Sequence, residues 1–177
     1  MIIVINICEH KLHELEFVKP IEDILKNNKI KYQTIHYKEL TNKQLGKADK
    51  IIITGTSLKD NEFIKNKNKF NFIKEINKPI LGICGGLQII GLLFGGKIKE
   101  HTEIGYYEED FTSSFLGLQG KKQVYHLHNN YTDFPEDFIN YTNSEIPQAV
   151  KHKQKPIYGV LFHPEVRNKS LLLSFLG

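Results

Sequence analysis

The sequence predicts an α/β fold: an open, mostly parallel sheet with helices on both faces and a small antiparallel edge. Three observations predict it. Apolar, β-branched runs alternate with helical segments through the first half of the chain. Three of those four runs are nearly continuous in apolar residues rather than apolar at every second residue, as in strands covered on both faces. The second half changes to short strand candidates separated by turn-like stretches.

Taken in order, IIVINI (2–7) reads as a buried strand. A helical segment over roughly 12–28 carries Leu15, Val18, Ile21, Ile24 and Leu25 at helical spacing, with a start or a bend at Pro20. IKYQTIHY (30–37) and KIIITG (50–55) are the next two strands. Residues 60–76 place Phe63, Ile64, Phe70, Ile73 and Ile76 on one side of a lysine-rich helix. PILGI (79–83) is a fourth strand, followed by a helix from about Cys84 to Phe94. KIKEH, EIGYYEED, KQVYHLH, INYTN, QAVKHK and PIYGVLF are short strand candidates, several of them able to form hairpins at one edge. A closing helix is expected over 165–176.

With 177 residues, no linker and no internal repeat, one domain over 1–177 is expected. The net charge of +4 comes from scattered lysines rather than a basic block with interleaved aromatics, so no nucleic-acid partner is expected. The two cysteines, Cys8 and Cys84, make no disulfide framework and fit a reduced, cytoplasmic setting. MIIVINICEH lacks the length and flanks of a signal peptide. Pro79 to Gly96 is an uncharged stretch of 18 residues, but six of them are glycine, so a strand, a turn and a buried helix are expected rather than a membrane span.

The chemistry centres on GICGGLQ (82–88). A strand that ends in Gly-x-Cys-x-Gly and then opens a helix turns sharply at Cys84, and Gly82 and Gly86 remove side chains that would clash there. This is the pattern of a nucleophile elbow, with cysteine where hydrolases carry serine. It lifts the sulfur to the carboxyl end of the sheet, where open α/β folds bind ligands. The helix that follows aims its N-terminal end at the sulfur, which favours the charged, attacking form. A cysteine nucleophile needs a base, and the base needs an orienting group. FHPEV (162–166) supplies both after the strand PIYGVLF: His163 and Glu165, two residues apart, share a face if the chain stays extended.

GICGGLQ, FHPE and TGTS (54–57) together resemble the class I, or triad, glutamine amidotransferases, and the resemblance covers nearly the whole chain. KHKQKPIYGVLFHPEV (151–166) is similar to the free glutaminase subunits of archaeal-type GMP synthases. The resemblance implies a flavodoxin-like sheet and a glutaminase that works without a cofactor or metal. Cys84 would attack the side-chain amide of glutamine. His163 would protonate the leaving ammonia and then activate water, and Glu165 would orient His163. Backbone N–H groups of Gly85 and the Gly55–Thr56 loop would form the oxyanion hole. Gln88, His128 and Asn129 match residues that contact the bound glutamine. The ammonia would pass to an ATP-dependent synthetase, for a GMP synthase the ATP-pyrophosphatase subunit.

The chain departs from the family pattern at three places. Gly85 stands where a bulky residue follows the nucleophile, Leu87 stands where Met or His precedes the glutamine, and Gly55-Thr56-Ser57 stands where the oxyanion loop reads Gly-Gly-Pro. Two alternatives stay open on that account: a glutaminase serving another synthetase, as in histidine or cofactor biosynthesis, and a weakly active or regulatory paralogue. A protease- or deglycase-like elbow enzyme would place histidine beside the cysteine, where this chain has Gly85. Cys8, Glu9, His10 and His13 crowd together, but their spacing matches no closed four-ligand metal set. GLLFGG (91–96) ends a helix rather than opening one, and no phosphate-binding loop with a Gly-Lys-Ser/Thr ending is present, so nucleotide chemistry belongs to a partner.

Overall fold

A computed structural model describes residues 1–177. The chain runs β1 (Ile2–Asn6), α1 (Lys11–Phe17), α2 (Lys19–Asn27), β2 (Tyr32–His36), α3 (Asn42–Lys47), β3 (Lys50–Ile53), α4 (Glu62–Lys65), α5 (Phe72–Glu75), β4 (Ile80–Ile83) and α6 (Gly85–Leu93). It continues through β5 (Ile98–Phe115), β6 (Leu118–Thr132), β7 (Phe138–Asn140), β8 (Ala149–His152), β9 (Ile157–Val160) and α7 (Lys169–Leu176).

Seven strands form one sheet in the order β2-β1-β3-β4-β9-β8-β7. The first five are parallel; β8 and β7 add the antiparallel edge. The sheet is apolar on both faces because alternate residues of each strand enter different cores. Val4, Ile52, Leu81 and Val160 pack with Ile21 and Leu25 of α2 and Leu171 and Phe175 of α7. Ile3, Ile5, Ile51 and Ile53 pack on the other face with Leu45, Phe70, Ile73, Ile89 and Ile90. No helix is long and apolar enough to cross a membrane.

Four expectations need correction. The segment 12–28 is two helices, broken at Val18 with Pro20 in the first turn of α2, and Leu15 is exposed. The proline fits there because its missing N–H falls among the unpaired donors of a helix start. The 60–76 helix is instead two single turns, α4 and α5, joined by a 3₁₀ turn at Lys67–Phe70. Phe63, Phe70 and Ile73 reach the core from those separate turns, so burial rather than helical propensity shapes the segment. KIKEH with EIGYYEED, and KQVYHLH with its flanks, are not short edge strands. They are two halves of a long hairpin, β5 with β6, which forms its own two-stranded sheet. The closing helix begins at Lys169, because residues 163–166 form a turn, with the Val166 N–H donating to the His163 carbonyl at 3.2 Å.

Candidate active site

The elbow forms where β4 meets α6. Cys84 takes φ +48° and ψ −103°, a conformation that costs a non-glycine residue about 1–3 kcal/mol. The surroundings leave it no other path. The Cys84 N–H is still tied to the Val160 carbonyl of β9 at 2.8 Å, and the Gln88 N–H already returns to the Cys84 carbonyl at 3.0 Å. The last sheet bond and the first helical bond therefore fall on one residue. The close approach of α6 to the sheet requires the two flanking glycines. A Cβ on Gly86 would stand 2.4 Å from the Ile53 carbonyl oxygen, and one on Gly82 would stand 2.6 Å from the Gly86 backbone.

His163 and Glu165 follow β9, and the turn at 163–166 brings their side chains together. His163 Nδ1 lies 2.7 Å from Glu165 Oε1, and both side chains are fully enclosed. The extended-chain argument therefore reached the right pairing by the wrong geometry. A carboxylate only accepts, so Nδ1 carries the proton and Nε2 is left for the sulfur side; Nε2 has no hydrogen-bond partner in the protein. Burial works against the imidazolium. The Glu165 charge, followed by the interaction with Cys84, outweighs it and holds the His163 pKa well above the usual histidine value.

Beside Cys84 lies a cleft lined by Thr56, Ser57, Asp60, Gly85, Gln88, His128, Asn129 and Asn130, among others. Of the expected substrate-facing residues, Gln88, His128 and Asn129 all reach it. Of the expected oxyanion-hole residues, Thr56 and Gly85 reach it, whereas Gly55 sits behind, where a Cβ would meet His163 Cε1 at 2.6 Å. The Thr56 hydroxyl donates to Asp60 Oδ2 at 2.6 Å. The same oxygen accepts from the Glu9 N–H at 3.0 Å and lies 2.7 Å from His13 Nδ1. Asp60 is buried, which alone would raise its pKa, but these partners hold it below the ordinary carboxylate value. The residue that departs from the family pattern is thus tethered by its own side chain. Cys8, next to this loop, is buried with its pKa pushed up to about 12, chiefly by desolvation, so it is a poor second nucleophile.

Sequence reasoning missed how much the hairpin contributes. The Tyr125 carbonyl of β6 accepts the His163 N–H at 2.8 Å. The Leu127 carbonyl lies 3.7 Å from Cys84 Sγ, and the Asn130 carbonyl accepts from Gln88 Nε2 at 2.9 Å. All of these acceptors are main-chain groups, which side-chain identity does not reveal. Asp60 was also missed; a carboxylate four residues past Thr56 was the available signal.

The model of the glutamine amidotransferase class-I family matches residues 13–173. The chain belongs to that family. Among relatives of this amidotransferase, the glutamine-hydrolysing GMP synthase subunit of Thermoplasma acidophilum is 31% identical over 152 residues, 78% of this chain and 76% of that one. The corresponding GMP synthase subunit of Methanosarcina barkeri is 38% identical over 119 residues, 60% of this chain. That match spans 63% of the M. barkeri protein, less than two thirds of its length. In fold, the amidotransferase superposes on a candidate GMP synthase subunit from T. acidophilum with a TM-score of 0.87, covering 99% of this chain and 92% of that one at 24% identity. A glutamine amidotransferase from Thermotoga maritima gives a TM-score of 0.70 at 21% identity, covering 93% of this chain and 76% of that one.

Proposed function

We propose that this amidotransferase hydrolyses glutamine to glutamate and ammonia, and passes the ammonia to a synthetase, most directly the ATP-pyrophosphatase subunit of a GMP synthase. One observation carries the reading. A cysteine on a strained elbow stands against a buried His163–Glu165 pair, at the edge of a polar cleft that also holds Gln88. Cys84 Sγ attacks the amide carbon while backbone N–H groups at Gly85 and Thr56 take the developing oxyanion. His163, held protonated by Glu165, gives its proton to the leaving ammonia. It then draws a proton from water, which attacks the thioester and frees glutamate. The GMP synthase assignment is supported by the GMP synthase relatives from T. acidophilum and M. barkeri.

The partner reading also has support on the surface. Leu12 and Leu15 of α1 are 73% and 65% exposed and lie three residues apart, on one face of the helix. Phe17, at the end of the same helix, packs against His163 with ring centroids 5.5 Å apart and ring planes tilted by 53°. A synthetase docked on α1 would rest on the helix whose buried end packs against His163.

Mass spectrometry after incubation with 6-diazo-5-oxo-norleucine, a glutamine-shaped electrophile, tests the glutaminase reading. A single adduct on Cys84, absent in Cys84→Ala, is expected. Wild-type ammonia release by Cys84→Ala would sink the mechanism. If the isolated chain stays unlabelled, the experiment is repeated with the ATP-pyrophosphatase subunit present, and no label there would overturn the reading.

A further inference from the structure

We infer that Glu103, His126 and His128 form a binding site for a divalent transition-metal ion of the zinc type, built into the β5–β6 hairpin. The inference does not rest on glutamine hydrolysis. The three residues come from paired strands: Glu103 of β5 stands opposite His128 of β6, and His126, two residues along β6, shares its face. One ligand atom from each lies within 4.8 Å of the others. Ligands about 2.0–2.1 Å from a tetrahedral zinc ion stand roughly 3.3 Å apart, so small side-chain shifts complete the shell. Two imidazoles and one carboxylate make a donor set that zinc takes in proteins.

The hydrogen-bond chemistry points to a cation. His128 lies between two acceptors: its Nδ1 is 3.2 Å from the His101 carbonyl oxygen and its Nε2 is 2.9 Å from Glu103 Oε2. A neutral imidazole carries one proton and serves only one of the two. Nε2 makes no directed hydrogen bond, which leaves it facing the Glu103 carboxylate as a ligand atom would. His126 is completely buried, and neither of its nitrogens has a hydrogen-bond partner. Its Nδ1 faces the same Glu103 oxygen at 3.7 Å, while its Nε2 faces Glu109 Oε1 at 3.3 Å. A carboxylate behind one nitrogen, with the other aimed at a shared point, is how metal-binding histidines are oriented. The Gln148 amide donates to Glu103 Oε2 at 2.8 Å and steadies the carboxylate. A bound cation would take His128 Nε2, His126 Nδ1 and a Glu103 oxygen as ligands.

Access and position are also suitable. Glu103, His101 and Gln148 line an open surface groove, which gives a metal ion an entry path and a water for the fourth position. His128 lines the active-site cleft on its other side, so a metal held here would brace the part of β6 that borders the cleft. The spacing of the three ligands shows none of this, since Glu103 and His126 lie on different strands and meet only when the hairpin closes.

The test is zinc titration of the purified chain, stripped with chelator and followed by calorimetry, with X-ray absorption on the loaded protein. One zinc per chain, ligated by two imidazole nitrogens and carboxylate oxygen without sulfur, is expected. His126→Phe should lose the binding. Glu109→Gln should weaken it about 10–100-fold through the lost orientation of His126. Cys84→Ala should bind zinc as the wild type does. No uptake by the folded wild type would overturn the inference. So would sulfur in the metal's shell, or unchanged affinity in both His126→Phe and Glu109→Gln. If His126→Phe does not fold, Glu103→Gln takes its place with the same expected loss. None of these readouts depends on glutamine hydrolysis, so failure here and failure of the glutaminase reading are separable.

Discussion

Glu165 acts on His163 through one hydrogen bond and one full charge, and the two effects separate by pH. The carboxylate raises the His163 pKa against the opposing pull of burial. A group whose folded pKa lies above its unfolded value contributes stability below the unfolded pKa, and loses it as pH rises through the folded pKa. Glu165→Gln keeps a hydrogen-bond acceptor but removes the charge, so the His163 pKa falls. The alkaline limb of kcat/KM for glutamine should therefore move to lower pH, and the alkaline loss of stability should begin earlier. The rate should fall less than in His163→Ala, where removal of the acid–base group costs about 10²–10⁴-fold. A pH–rate profile of Glu165→Gln that superposes on the wild type would show that Glu165 does not tune His163. The pairing of these residues was legible in FHPE because two residues of chain connect them. The turn that makes the contact was not legible, because a strand and a turn can both place i and i+2 together.

At the scale of the element, the β4–α6 elbow depends on how closely the helix approaches the sheet. Two glycines test that closeness in different ways. A Cβ on Gly86 meets the Ile53 backbone at 2.4 Å, and a strand in the middle of the sheet has nowhere to go. A Cβ on Gly159 meets Leu87 Cδ1 at 2.2 Å, which is the end of a flexible side chain. Gly86→Ala should therefore destabilise by about 3 kcal/mol and Gly159→Ala by about 1 kcal/mol, the two ends of the range for overpacking. Urea unfolding would measure both, and equal losses would mean that the helix, not the strand, gives way. The inner parallel strands β1, β3, β4 and β9 were legible as apolar runs. The 60–76 region was not, because three aromatic and aliphatic side chains reach the core from separate turns, and a periodic pattern does not distinguish such turns from one helix.

For the whole molecule, α1 presents Leu12 and Leu15 to solvent, on the helix whose buried Phe17 packs against His163. An apolar pair so placed is the expected footing of a synthetase. Leu12→Lys with Leu15→Lys should leave the melting temperature and the labelling of Cys84 unchanged, because neither side chain is in the core. The same double variant should lower synthetase binding at least tenfold in calorimetry. Unchanged affinity would place the partner on another face. The helical spacing made Leu15 look like a core residue, and only the break at Val18 turns α1 so that Phe17 enters the core while Leu12 and Leu15 do not.

By itself the sequence determined the parallel sheet, the elbow at Cys84, the His163–Glu165 pair and the family, because each rests on neighbours within a few residues or on continuous burial. Tertiary structure alone decided the rest of the site. The β6 carbonyls that hold His163 and Gln88, the Asp60 oxygen that meets Glu9 and His13, and the meeting of Glu103 with His126 and His128 all join distant segments. Such contacts depend on strand register and on main-chain groups common to every residue, so no local pattern in the chain encodes them.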